Sequence, residues 1–409
     1  MKILVFSQYF WPENFLINDL SKGLVDNGHK VEVLTGKPNY PHGIKFKGYE
    51  RFGFLSETNE TICIHRIPLL ARGAGKLRLA LNYMSFIISA LLFSPFVLRG
   101  RKFDVIFVYA LSPILQVIPA IILGRIKRIP VVVSVQDLWP DSLLASGYIR
   151  NKLLLKLIKY IVGLIYSNVD LLLVQSEAFL EPVRSMARGT TVKYYPNSVG
   201  RSFALPAQVF EDDMAGLNDG FSVMFAGNIG SAQATDVIIE AAEHLKGYKD
   251  IHFLIIGDGS RRDWLLKERS IRELSNFHLP GRYPVSTMPG LMGKASVLLV
   301  TLTDYEAFAA TIPSKIQTYM AAGRPILACL NGEGARIVVE ADAGIAVPAE
   351  NAKALAAGIL KIYEMSEDER AILGANGSSY FKEHFDHEKL VSDLANHLQM
   401  VLRNERKLS

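Results

Sequence analysis

Short runs of aliphatic and aromatic residues recur along this chain, separated by longer segments of helical periodicity, and no other feature narrows the possible folds as much. The runs at 3–6, 31–34, 105–109, 131–135, 171–174 and 192–194 are nearly continuous rather than alternating. That is the pattern of strands covered on both faces in a parallel sheet. Between the first two, segment 17–27 has helical spacing and stops at Gly28, a residue free to take the left-handed conformation that closes helices. Pro196-Asn197 ends the series, a polar irregular stretch fills 198–220, and the alternation restarts at 222–226, 251–256, 297–302 and 326–328. Strand-helix alternation of this kind builds α/β layers, and the restart predicts two of them. A length of 409 residues suits two cores rather than one. The expected divisions are 1–200, 201–385 and 386–409. In the last, Asp386 caps a helix carrying Leu390, Leu394, Leu398, Val401 and Leu402 on one face.

Composition excludes several classes. Cys63 and Cys329 stand far apart in no metal or redox spacing, which supports neither a disulfide framework nor a zinc site and suits a reducing cytoplasm. His29, His42 and His65 show no metal spacing either. Met1-Lys2 leads directly into the run at 3–6, with no long apolar region or small-residue cleavage site, so the start is read as a strand. No G-x-G-x-x-G follows that strand, where Gln8-Tyr9-Phe10-Trp11-Pro12 stands instead, which argues against a nicotinamide-dependent oxidoreductase. The net charge of +5 is modest and unevenly distributed, and no nucleic-acid partner is expected.

Segment 79–98 is apolar over about the length that spans a bilayer. It lies inside the strand series and contains Asn82, Ser85, Ser89, Ser94 and Pro95, so a span would divide the first sheet. Arg72, Lys76, Arg78, Arg99, Arg101 and Lys102 flank it, and Arg125, Lys127 and Arg128 follow a second apolar helix. A buried helix beneath solvated charges fits these facts. A helix lying on an anionic lipid surface, with cations at the headgroups, fits them better.

Ligands of parallel sheets bind at the C-terminal ends of the strands. Gly227-Asn228-Ile229-Gly230-Ser231-Ala232-Gln233 follows one strand and precedes a helix, so its glycines would let backbone amides approach a phosphate. Gly257-Asp258-Gly259-Ser260-Arg261-Arg262 repeats the arrangement, and Gly281-Arg282-Tyr283 offers backbone groups and an aromatic edge to a base. The strongest signal is Pro313-Ser314-Lys315-Ile316-Gln317-Thr318. There Ser314 is expected to cap a helix closed by Gly323, which places Lys315 at a positive helix end.

Together with Ser7–Glu13, Gln136-Asp137-Leu138-Trp139-Pro140-Asp141 and Pro196-Asn197, these stretches resemble the retaining family 4 glycosyltransferases, in particular the fucosamine and fucose transferases of bacterial surface polysaccharides. The resemblance implies the GT-B fold: two Rossmann-like α/β domains with parallel sheets facing across a cleft, and a C-terminal helix that crosses back to the first domain. It implies retaining transfer of a sugar, such as FucNAc, from a UDP-linked donor to a polyprenyl-diphosphate-linked saccharide in O-antigen or capsule assembly. The enzyme would sit peripherally on the inner face of the cytoplasmic membrane. Carried over, the donor would meet Gly227, Asn228, Gly230, Gln233, Asp258, Arg261, Gly281, Arg282, Tyr283, Pro313, Ser314 and Thr318, with Lys315 facing the departing diphosphate. Glu13 and Asp137 would serve on the acceptor side. No metal and no cofactor is expected, since cations and helix dipoles would stabilise the leaving group and no Asp-X-Asp triplet occurs.

The departures are specific. The acidic pair that many members carry at E-x7-E spacing falls on Ala310 and Thr318, and the basic residues of the first donor loop fall near Asn228 and Gln233. Lys315, Arg261 and Arg282 are the available cations, and Glu306 is the nearest acid to the missing pair in sequence. A non-catalytic sugar-nucleotide-binding partner would tolerate these losses, and a GT-B sugar-nucleotide epimerase would share the fold.

Overall fold

The computed structural model describes every residue except 42, 52, 74, 146–148, 150, 200–215, 218, 219 and 409, and the side chains of 76, 145 and 404–408. His42 and most of the irregular stretch 198–220 thus lie outside the described residues. The chain divides into two compact units, Met1–Asn197 with His387–Ser409, and Ser198–Asp386.

The first unit contains β1 (Lys2–Phe6), α1 (Leu16–Asp26), β2 (Lys30–Gly36), β3 (Leu55–Asn59), β4 (Ile62–Ile67), α2 (Lys76–Val97), β5 (Val105–Ala110), α3 (Val117–Lys127), β6 (Val131–Val135), α4 (Asp141–Ala145), α5 (Lys152–Tyr166), β7 (Leu171–Val174), α6 (Leu180–Ala187) and β8 (Thr191–Tyr194). Its sheet runs β3-β4-β2-β1-β5-β6-β7-β8. Among the described residues only the β3–β4 pairing of this sheet is antiparallel. Because β1 pairs with both β2 and β5, the strand order reverses there, which opens a crevice at the C-terminal end of β1. β3 and β4 are not among the strands expected from the apolar runs. β3 is a polar edge strand, and β4 buries His65 and Arg66 among its aliphatic residues. Arg66 is tolerated because each of its three guanidinium nitrogens donates a hydrogen bond, to Glu57 and to the carbonyls of Gly36 and Trp11, with the ring of Tyr49 beneath it.

The second unit contains β9 (Phe221–Asn228), α7 (Thr235–His244), β10 (Ile251–Asp258), α8 (Arg262–Ile271), β11 (Phe277–Gly281), α9 (Met288–Lys294), β12 (Val297–Thr301), α10 (Glu306–Ala309), α11 (Ser314–Ala321), β13 (Ile326–Cys329), α12 (Glu333–Glu340), β14 (Gly344–Val347), α13 (Ala352–Tyr363) and α14 (Glu367–His384). The sheet runs β11-β10-β9-β12-β13-β14, parallel throughout. Val223 and Phe225 of β9 enter the core on one face, and Met224 and Ala226 enter the core on the other. Both faces are therefore covered, which is why the strands read as unbroken apolar runs.

The final helix, α15 (His387–Leu408), belongs to the first unit. Leu390, Val391, Leu394 and Leu398 are buried in the same core as Ile3, Val5 and Leu20. The Tyr195 hydroxyl donates to the Leu390 carbonyl at 2.9 Å. Burying each large aliphatic side chain is worth about 1.5–3 kcal/mol, so this return helix is a substantial part of the unit's stability.

Helix α2 begins earlier than the apolar segment suggests and is not a plain amphipathic helix. Leu79, Asn82, Phe86 and Ala90 face inward, and Phe86 packs edge-on against Phe6 of β1 at 5.9 Å. Asn82 accepts from the Gln8 amide at 2.9 Å and donates to the Leu70 carbonyl at 2.6 Å. Those buried bonds tie α2 to the sheet and argue against a span. The opposite face is also apolar: Leu77, Leu81, Met84, Ile88, Leu92 and Phe96 are all exposed. Arg72, expected at lipid headgroups, lies over the Tyr40 ring at 5.3 Å.

Candidate functional site

In the second unit the strand ends converge on a cavity of about 540 Å³. β9 and β10 pair in register to their last residues, Gly227 with Gly257 and Asn228 with Asp258. Gly227 has φ +136° and Gly257 has φ +138°. A Cβ on Gly257 would run into the Gly227 carbonyl, so this close approach of two backbones requires glycine. Gly227, Asn228, Gly257 and Asp258 form one wall.

The facing wall is the start of α11, with Ser314, Lys315, Thr318 and Tyr319. The expected cap is corrected here: Pro313 occupies the N-cap position, Ser314 is the first helical residue, and no side chain caps the helix. Proline, fixed at φ −62°, supplies the extended entry, and the Ile316 amide turns back to the Pro313 carbonyl at 2.9 Å, so the amides of Ser314 and Lys315 are the ones left to a ligand. Thr318 hydroxyl donates to the Ser314 carbonyl at 2.9 Å. The buried Tyr319 hydroxyl accepts from the Ala226 amide at 2.9 Å, which fixes the helix against the end of β9.

Lys315 lies between these walls. Its ammonium donates to the Gln233 side-chain carbonyl and sits 4.7 Å from the Phe225 ring centroid. Among the described residues no carboxylate pairs with it. Burial alone lowers its pKa from 10.5 to about 8. A desolvated cation, a helix N-terminus and two glycine turns together make a cradle for an anion.

Arg282 joins Asp258 at 3.3 Å, but its side chain is 73% exposed. A pair so exposed is worth at most about 1 kcal/mol, so the guanidinium can be redirected to a ligand at little cost. Tyr283, Val285, Met288 and Met292 supply an apolar side. The last three are absent from the sequence reading, because nothing in their local pattern marks them.

Other expected donor residues stand outside the lining. Gln233 acts behind Lys315, Gly230 precedes the turn at 231–233, and Gly281 and Pro313 shape the backbone that carries their neighbours. Arg261 is drawn away: its guanidinium stacks 3.7 Å above Trp264, donates to Thr235 at 3.3 Å and approaches Asp236 at 3.9 Å. Glu306 opens α10 and is exposed, as a solvated acid would be.

Glu13 and Asp137 lie in the first unit. Buried Glu13 accepts the amides of Asn39 and Tyr40 at 2.8 and 2.7 Å, so it holds that stretch of backbone, and burial raises its pKa. Asp137 accepts from Ser112 at 2.6 Å, and Ser112 accepts in turn from the Trp139 indole at 3.0 Å. Beside them a network links Gln136, Gln175 and Asn197. Folding also brings Glu32 of β2 to Cys63 and His65, which stand two apart on β4, with their ligand atoms within 4.8 Å of one another. Lys2 at 3.0 Å and Arg101 at 2.8 Å already satisfy Glu32, so this is an ion-pair cluster in which a metal would meet two cations.

The chain matches two family models, the glycosyl transferase 4-like domain over residues 16–197 and glycosyl transferases group 1 over residues 220–365. The putative colanic acid biosynthesis glycosyl transferase WcaI of Escherichia coli K12 is 25% identical over 343 residues, covering 79% of this chain and 82% of that protein. Sucrose-phosphate synthase from Thermosynechococcus elongatus superposes with TM-score 0.74 at 15% identity, over 98% of this chain and 99% of the other. HepE of Anabaena, solved in complex with UDP, superposes with TM-score 0.71 at 15% identity, over 98% and 100%. With both halves matched in order and both sheets built as that fold requires, the chain is a glycosyltransferase of the GT-B fold, 4-like in its first half and group 1 in its second.

Proposed function

We propose that the protein transfers a sugar from a nucleoside-diphosphate sugar, UDP-linked, to a lipid-linked saccharide during surface-polysaccharide assembly, with retention at the anomeric carbon and without a metal. The observation that carries this reading is Lys315, a desolvated cation with no carboxylate partner among the described residues, at the mouth of two glycine turns. The anomeric C–O bond breaks and its electron pair leaves with the diphosphate. An acceptor oxygen forms the new bond and passes its proton to the departing diphosphate. Lys315 and the α11 amides stabilise the charge that develops on the leaving group. Tyr283 and the Met288–Met292 side suit the base, and Thr318, standing where many relatives have a glutamate, offers a hydroxyl to the ribose.

The UDP complex of HepE and the polysaccharide role in the name of WcaI support the donor and the pathway. A polyprenyl-linked acceptor would keep the enzyme on the inner face of the cytoplasmic membrane, where the exposed stripe of α2 can lie in the lipid surface. FucNAc is the sugar to try first, on the resemblance to fucosamine transferases.

A panel of UDP- and GDP-sugars tests the reading. One UDP-sugar should raise the melting temperature and release nucleotide when lipid-linked acceptor is added. The missing acids at 310 and 318 favour a second reading, a non-catalytic nucleotide-sugar binder, which would give the thermal shift without release. No shift with any donor would contradict both.

A further inference from the structure

Helix α5 is apolar on two opposite faces. Val162, Ile165 and Tyr166 are buried, whereas Leu153, Leu157, Tyr160 and Leu164, spaced for one helical face, point to solvent. Leu153 is 79% exposed and Leu157 53%. A solvated helix would carry charge there. Here the exposed cations Lys152, Lys156 and Lys159 are confined to one edge of the apolar stripe.

The same pattern continues across the unit. The connections β4-α2-β5, β5-α3-β6 and β6-α5-β7 all step in one direction across the sheet. Right-handed crossovers therefore place α2, α3 and α5 on one face, opposite α1. α2 touches α3, and both α2 and α5 touch the turn Ile114–Gln116. Ile122 and Ile126 of α3 are exposed as well. None of the three helices contains an Asp or Glu, while Arg78, Arg125, Lys152, Lys156 and Lys159 lie on them.

We propose that α5 is a second membrane-inserting helix, which with α2 gives the first unit a two-helix footprint on an anionic bilayer. The occupant is a lipid surface because the face is broad and apolar, with positive charge unrelieved by acids along it. Tyr160 is placed to sit at the headgroup level. The inference rests on the membrane residence proposed above, and the test separates the two.

Tryptophan is introduced at exposed positions, Leu157→Trp or Leu153→Trp on α5 and Ile88→Trp on α2, and quenching by brominated lipid is measured on anionic vesicles against the wild-type background. Quenching on both helices is expected. In a Lys152→Gln/Lys156→Gln/Lys159→Gln variant, binding to anionic vesicles should fall by about 20-fold or more, with binding to neutral vesicles little changed. Quenching at 88 but at neither α5 position overturns the α5 footprint and leaves membrane residence standing. Quenching at none, with self-association in sedimentation, overturns both and makes the face a contact between copies.

Discussion

The side chain of Lys315 crosses directly over Gly227, its Cε lying 2.9 Å from where a Cβ at 227 would stand. Gly227→Ala would displace the cation and also place alanine at φ +136°, a conformation that costs about 1–3 kcal/mol. The expected result is a donor KM raised by about tenfold or more and a lower melting temperature. Donor titration with matched thermal melts checks it. Unchanged donor kinetics in a folded variant would show that Lys315 does not need its present path.

The lowered pKa of Lys315 gives the reaction a pH signature. In the free protein the cation is lost as pH rises through about 8, whereas a bound diphosphate favours the charged form. kcat/KM for donor should therefore fall above pH 8 while kcat holds to higher pH. The stability effect has the opposite sign. Between about 8 and 10.5 the unfolded chain binds the extra proton, so stability gains with pH across that window, and below it the contribution is constant. Lys315→Met should abolish both dependences, and profiles of wild type and variant provide the check.

Metal independence is the third expectation. With a cation and helix amides at the phosphate cradle, turnover should persist in EDTA within about twofold. Loss of activity restored by magnesium would contradict it.

Gly23 of α1 lets α15 dock, since a Cβ there would stand 2.6 Å from Val391 Cγ2. Gly23→Ala should cost about 1–3 kcal/mol, as overpacking of a core does. Adding Val391→Ala should recover part of that loss, measured by denaturant unfolding.

Much of this arrangement is legible in the sequence because both sheets are buried on two faces, so their central strands read as apolar runs. The edge strand β3 is not legible: Ser56, Glu57 and Asn59 pair only on one side. β11 and β14 are missed as well, since Pro280 and the glycines at 281 and 344 read as turns. In the site, Lys315 and the glycine turns announce themselves by motif. The detour of Arg261 does not, because Trp264 and Thr235 reach it only through folding. The outward stripe of α5 is present at 153, 157, 160 and 164, yet periodicity alone cannot tell an inward apolar face from an outward one.

Nucleoside diphosphate release from a UDP-sugar in the presence of lipid-linked acceptor, compared between wild type and Lys315→Ala, shows whether Lys315 drives the transfer. Acceptor-dependent release is expected from wild type, with a loss of about 10²-fold or more in the variant, the scale of removing one electrostatic stabiliser. Release at equal rates by both proteins would contradict that role.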